Sequence, residues 1–230
     1  MKLIGADASP FVQRVRIVAR LKGLDLPLAT IPDGGLHGPA FRSINPMARM
    51  PALVSDDGWV LAESATIAAY LDETVPGVSL TPTDPGDRAR MRWYVQLVDG
   101  PLDTGLRAIA RSRIMPGSAA PLVKQDSSDV AAFGLTELND ALGALARLAP
   151  EPDPWLIGSA PTLADAALFP VLVILDVMRP WNKVHDQIVM PGSLADYKTR
   201  LMQEPVFGEA AAALHVSFNH VVQLWALTAA

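Results

Sequence analysis

ADASPFVQRVRIVARLKG, residues 6–23, decides how the first part of the chain is read. Ser9 precedes Pro10, and serine followed by proline at the first helical position is a favoured helix start. From Pro10 to Lys22 the apolar residues Phe11, Val15, Val18 and Ala19 recur at helical spacing, and Gly23 is placed to stop the helix. Before this stretch, Lys2 to Gly5 is a short apolar strand candidate; after it, Leu26 to Ile31 can form a second strand. Arg14, Arg16, Arg20 and Lys22 also lie in the helix and are expected on a solvated or locally paired face.

Working outward, the Gly/Pro-rich passage PDGGLHGPA reads as a loop leading into a short helix. In MPALVSDDGWVLAES, Ala52–Val54 and Trp59–Leu61 flank Asp57-Gly58, a strong hairpin signal. Helical spacing returns from Glu63 to Glu73, with Ile67, Tyr70 and Leu71 on one side. The order β-α-β-α-β-β-α suits a small mixed sheet covered by helices.

After residue 74 the pattern changes. VPGVSLTPTDPGD reads as a linker, and strand signals nearly vanish beyond it. Helices are expected at 85–113, 126–148, 162–178, 193–203 and from 206 onward, with breaks at 116–121, 150–154 and 191–192. The organisation is therefore an α/β domain at 1–77, a linker at 78–84 and an all-α domain at 85–230.

Composition narrows the function classes. Of 230 residues, half are apolar and 19% are charged, which opposes extensive disorder. A net charge of −5 gives no general attraction to nucleic acid or to an anionic membrane. The apolar run AALFPVLVILDV, residues 166–177, is shorter than the ~20 residues that span a bilayer, so a buried helix is expected. The start MKLIGADAS lacks the form of a signal peptide, and a cytoplasmic protein is expected. With no cysteine, the chain has no disulfide, thiolate metal site or cysteine nucleophile of its own. Chemistry on a thiol carried by a ligand stays open.

Three places could carry chemistry. Ser9 caps a helix, but a hydroxyl beside free N–H groups and the positive dipole end also favours a bound anion such as a thiolate. Pro51 can open an edge strand; if the Met50–Pro51 bond is cis, the Met50 backbone could instead pair with an extended peptide ligand. Glu63 and Ser64 can be capping groups, or can hold an amino-acid head, Glu63 taking the ammonium and Ser64 the carboxylate.

The ordered set SPFVQRVRIVARLKGL, NPMARMPAL and LAESATIAAYLDE, followed by an all-helical half, resembles the cytosolic glutathione transferase family over nearly the whole chain. SPFVQRVRI is closest to its tau-type branch, in which a serine before Pro-Phe activates the glutathione thiol. The resemblance implies a thioredoxin-like domain followed by an all-α domain, with glutathione as co-substrate and no metal. It implies Ser9 for thiol activation, cis-Pro51 with Met50 gripping the cysteinyl backbone, and Glu63 and Ser64 at the γ-glutamyl end. Arg49 and His37 would approach the ligand's carboxylates. Phe11, the helix from Trp93 to Arg107 and the segment Phe218 to Trp225 would wall a cleft for an apolar electrophile. A homodimer is also implied. LIGSAPTLADAALFP resembles the family's buried motif, with Thr162 and Asp165 as a reciprocal capping pair serving folding. NPMARMP departs from the commoner NPxGxVP: Ala48 replaces a glycine and restricts a turn.

The implied reaction is attack of the thiolate on an electrophile. The alternatives are a glutathione-dependent isomerase, dehalogenase or ether-cleaving enzyme, or a non-catalytic binding or regulatory relative. A Ser-His-Asp hydrolase is a poor fit, because no histidine is placed as a base for Ser9.

Overall fold

The computed structural model describes residues 1–112, 128–149, 151–152, 154–181 and 183–228. Four short strands, β1 (Lys2–Ile4), β2 (Leu28–Ala29), β3 (Ala52–Val54) and β4 (Val60–Ala62), form one sheet in the order β2-β1-β3-β4. β1 and β2 are parallel and the other pairs antiparallel, with Leu3 opposite both Leu28 and Leu53. The second strand is shorter than expected. Pro27 has no N–H to extend the ladder, and only its carbonyl joins in, accepting from Leu3 N at 2.9 Å.

Helix α1 (Pro10–Leu21) begins at Ser9 and ends in a Schellman motif. Gly23 has φ 67°, its N–H bonds to Arg20 O, and Leu24 N bonds to Ala19 O. The short helix α2 (Pro39–Arg42) follows the glycine-rich loop, and α3 (Ser64–Thr74) follows the hairpin, whose turn places Gly58 at φ 87°. The order expected for residues 1–74 is thus the one observed.

Beyond Pro85, every regular element among the described residues is helical: α4 (Pro85–Leu97), α5 (Asp103–Ser112), α6 (Ser128–Leu148), α7 (Leu163–Met178), α8 (Gly192–Leu201) and α9 (Pro205–Thr228). The expected break at 116–121 lies outside the described residues, and that at 150–154 does so in part. The long helix expected at 85–113 is interrupted by a π-helical turn at Val98–Leu102, where Pro101 removes a backbone donor.

All but one residue of α7 are buried, Asp176 excepted, so the apolar run forms the central helix of the core. Among the described residues no helix is long and apolar enough to cross a membrane. Asp165 anchors the start of α7. Its Oδ2 accepts from Thr162 N and Thr162 Oγ1, both at 2.8 Å, while Thr162 Oγ1 accepts from Ala164 N. Its Oδ1 accepts from Leu156 N at 2.9 Å and Tyr197 OH at 2.8 Å. The expected capping pair is present, and burial pushes the carboxyl above its ordinary range despite these donors.

One apolar core runs through both halves, because α1 packs on α3, α7 and α9. The basic cluster of α1 is paired, but half of it is not solvated. Arg14 is 1% and Lys22 8% exposed. Lys22 Nζ donates to Asp72 O and Val78 O at 3.1 Å, and Asp72 Oδ1 also accepts from Leu80 N at 2.8 Å. This buried group ties α1 and α3 to the connecting segment.

Candidate functional site

Ser9 stands where β1 turns into α1, with extended backbone and 7% exposure. Its Oγ accepts from Val12 N at 3.4 Å, a long bond by the standard of helix caps. The turn that delivers it is tight: a Cβ on Gly5 would lie 2.6 Å from Val12 Cγ2. The loop opposite is built on Asn45, which is buried, donates to Arg49 O at 2.6 Å and accepts from Met47 N at 3.0 Å. The loop makes its turn with Ala48 at φ 54°, a left-handed backbone that favours glycine. It then reaches a cis Met50–Pro51 bond before β3.

At the start of α3, Glu63 is exposed and holds φ 66°. A non-glycine residue in this region is held there by its surroundings, and such positions cluster at ligand sites. Ser64 is buried and its Oγ accepts from Arg14 Nη1 at 3.1 Å.

These pieces bound two adjoining cavities. The smaller, about 170 Å³, is lined by Glu63, Ser64, Ala65, Pro51 and Asp99, together with the wall it shares. The larger, about 280 Å³, contains Ser9 and an apolar side formed by Leu106, Ile174, Met178 and Phe218. Phe11, Arg49, Met50, Asp103 and Arg107 line both. One chamber is therefore charged and compact, the other largely apolar, and they meet at Phe11 and Met50.

Contacts among Phe11, Asp99, Asp103 and Arg107 shape this junction, together with Arg14 of α1 behind it. The guanidinium carbons of Arg107 and Arg14 lie 5.3 and 5.7 Å from the Phe11 ring centroid, within cation–π range. Arg107 Nε donates to Asp103 Oδ2 at 2.6 Å, one helical turn back. Arg14 Nη2 lies 2.6 Å from Asp99 Oδ1.

Of the residues singled out in the sequence, Ser9, Phe11, Arg49, Met50, Pro51, Glu63 and Ser64 all line one or both cavities. His37 lines neither. It is exposed, and Arg42 reaches its carbonyl at 3.2 Å and its Nδ1 at 3.4 Å. Trp93 is 54% exposed on α4 and also lies away from both; the wall contributed by this part of the chain begins at Asp99. Phe218 is in place, whereas the Trp225 side chain lies outside what is described. Arg14, Asp99 and Asp103 do not stand out in the sequence as site residues. Arg14 carried a signal, since it stands three residues after Phe11 and four before Val18, on the apolar stripe of α1. No His/Cys/Asp/Glu group able to hold a metal occurs among the described residues.

Residues 3–79 match the glutathione S-transferase N-terminal domain, and residues 108–189 match the glutathione S-transferase C-terminal domain. The chain belongs to the glutathione S-transferase family. Among its relatives is a maleylacetoacetate isomerase of Pseudomonas aeruginosa, 36% identical over 182 residues, which are 75% of this chain and 80% of the relative. Glutathione S-transferase U3 of Arabidopsis thaliana is 31% identical over 113 residues, 49% of this chain and 50% of that protein. A solved glutathione S-transferase of Methylobacterium radiotolerans, in complex with glutathione sulfonate, is 28% identical with a TM-score of 0.71. That match covers 91% of this chain and 93% of the other. The thioredoxin-like sheet and the helical second half are accordingly the glutathione S-transferase fold.

Proposed function

We propose that this family member binds glutathione across the two cavities and presents its thiol, ionised, to a second substrate in the apolar chamber. The observation that carries the reading is the junction itself: a compact charged cavity opens at Phe11 and Met50 into an apolar one that contains Ser9. Glutathione has the complementary division, with a zwitterionic γ-glutamyl end and a reactive thiol. In this reading Glu63 takes the ammonium, and Ser64 with the start of α3 takes the adjoining carboxylate. The Met50 backbone beside cis-Pro51 pairs with the cysteinyl unit as an added strand would. Arg49 and His37 face the carboxylates, His37 by movement of its exposed loop.

Glutathione's thiol is mostly protonated at neutral pH, and the thiolate is the reactive form. The Ser9 hydroxyl donates a hydrogen bond to the sulfur, and the first N–H groups of α1 add their positive end of the helix dipole. Serine is the donor here, not the nucleophile. This is the serine-type arrangement expected from SPFVQRVRI, the tau-like feature of the chain.

The thiolate then adds to an electrophilic carbon. If the adduct persists after protonation, the product is a glutathione conjugate. If the electrophile is a cis-configured conjugated acid, addition turns the double bond into a single bond. Rotation and expulsion of the same thiolate then give the trans isomer and return glutathione unchanged. The similarity to the Pseudomonas isomerase over three-quarters of the chain favours this second outcome. So does the presence of Arg107 in the wall of the apolar chamber, where it can face a carboxylate. A cytoplasmic homodimer with domains at 1–77 and 85–230 completes the proposal.

The test is calorimetric titration with glutathione, followed by turnover of a chromogenic electrophile and of a cis-configured unsaturated keto acid. Glutathione-dependent isomerisation without net consumption of glutathione identifies the isomerase, and conjugate formation identifies the transferase. Neither binding nor turnover would leave a regulatory or binding protein.

A further inference from the structure

Ser64 has its hydrogen-bond direction fixed from outside the cavity. Its Oγ accepts from Arg14 Nη1 at 3.1 Å, and a guanidinium has no acceptor with which to take a proton in return. The Ser64 hydroxyl proton is therefore kept for another partner, and Ser64 lines the compact cavity. A hydroxyl that accepts from a cation is also a better donor, because the two bonds polarise each other.

Arg14 is held for this task from the far side. It is 1% exposed, and its Nη2 lies 2.6 Å from Asp99 Oδ1, on the π turn between α4 and α5. The guanidinium thus spans α1, the first residue of α3 and the helical half of the chain. A planar fork can serve two such partners at once, which an ammonium on a flexible stem does less well.

We infer that Arg14 is a positioning residue for glutathione: through Ser64 it orients a hydrogen-bond donor toward the γ-glutamyl carboxylate, and Asp99 keeps the guanidinium in that pose. This rests on the glutathione reading above. It adds that the affinity of the γ-glutamyl end depends on a buried residue that lines neither of the two cavities and on an ion pair between the two halves of the chain.

The experiment compares the unmodified protein with Arg14→Lys, Ser64→Ala, Asp99→Asn and the double variant Arg14→Lys/Ser64→Ala. Each is first checked for a cooperative melt, and Asp99→Asn, at a partly exposed position, covers the case in which Arg14→Lys does not fold. Glutathione affinity is measured by calorimetry, and ionisation of the bound thiol by its ultraviolet thiolate band against pH. Arg14→Lys and Ser64→Ala are each expected to weaken glutathione about tenfold, the size of a lost hydrogen bond to a charged group. Asp99→Asn weakens it in the same direction. The double variant should bind no more weakly than Ser64→Ala, because both act through one hydroxyl. The pH at which the bound thiol ionises should not move. Full additivity, or a shift in thiol ionisation as large as the loss of affinity, would overturn the assignment. Failure of the unmodified protein to bind glutathione would instead remove the reading on which it rests.

Discussion

Replacing Ser9 with alanine separates its two roles, because the structure makes one of them weak. As a helix cap, Ser9 Oγ accepts from Val12 N at 3.4 Å, beyond the usual range for N–H···O bonds. Loss of so long a cap should cost about 0.5 kcal/mol, the low end for such substitutions. For a protein of this size that lowers Tm by about 1–2 °C. As a donor to the thiolate, Ser9 makes a hydrogen bond to a charged group, worth about 1.5–3 kcal/mol. At 1.36 kcal/mol per pH unit, its loss raises the pKa of the bound thiol by about one to two units. Below the original pKa, kcat/KM falls by the same factor, about 10- to 100-fold, and the loss fades as pH approaches the new pKa, with glutathione affinity largely retained. The assay pairs a thermal melt with the pH dependence of the thiolate absorbance and of turnover. A fall in Tm of about 1–2 °C with turnover and thiol ionisation unchanged would show that Ser9 is a structural cap and nothing more.

Four other outcomes test the scaffold. Asp165→Ala leaves Leu156 N, Thr162 N and Tyr197 OH without their shared acceptor, and should cost about 3–5 kcal/mol by thermal melt. Because the folded pKa of Asp165 is raised, chiefly by burial, folding favours its protonated form. Its contribution is therefore fullest below the unfolded pKa and is lost as pH rises through the folded one. The advantage of the natural protein over Asp165→Asn should shrink as pH is raised above the ordinary carboxylate range; an advantage that grows instead would reverse the sign. Gly105→Ala places a Cβ 2.7 Å from Gly134 O and Leu138 N, both backbone atoms of α6. Separation of α5 from α6 should cost about 1–3 kcal/mol in a denaturant titration. Ala48→Gly relieves a left-handed alanine and should stabilise by up to about 1 kcal/mol after the entropy of the freer unfolded chain is counted. A lowered midpoint in the same titration, by the roughly 0.4–1 kcal/mol of unfolded-chain entropy alone, would show that the turn carries no strain.

What the sequence disclosed followed the range of the interaction behind each signal. Ser9-Pro10, Asp57-Gly58 and Gly23 act within a few residues, and each produced the expected helix start, hairpin or helix end. β2 is shorter than its apolar stretch suggests, because a strand of two residues is defined by its neighbour, and apolar character around Pro27 does not mark where the ladder stops. The interruption at 98–102 is hidden for a similar reason: the chain accommodates Pro101 by widening one turn, so the helical stretch expected at 85–113 carries on past it as α5.

The candidate site divides in the same way, and the division shows how more of it could have been read. Ser9, Met50–Pro51 and Glu63–Ser64 are local features, so they were visible, and the fold brought them to adjoining cavities. Arg14 and Asp99 are distant in sequence, and no periodicity names one as the partner of the other. Yet a full charge on the apolar face of a helix is already informative, since burial without a partner is prohibitive. Arg14 lies on that face between Phe11 and Val18, and it proves to be held by Ser64 and Asp99. Lys22, buried at the end of the same helix, is held by Asp72 and Val78. Asp165, in the most apolar helix, takes Leu156, Thr162 and Tyr197. In each case the misplaced polar group joins segments that the hydrophobic pattern alone would leave free to slide. The one among them that borders a binding cavity through its partner is Arg14, and there the same fixation that joins the two halves also decides which way a site hydroxyl points.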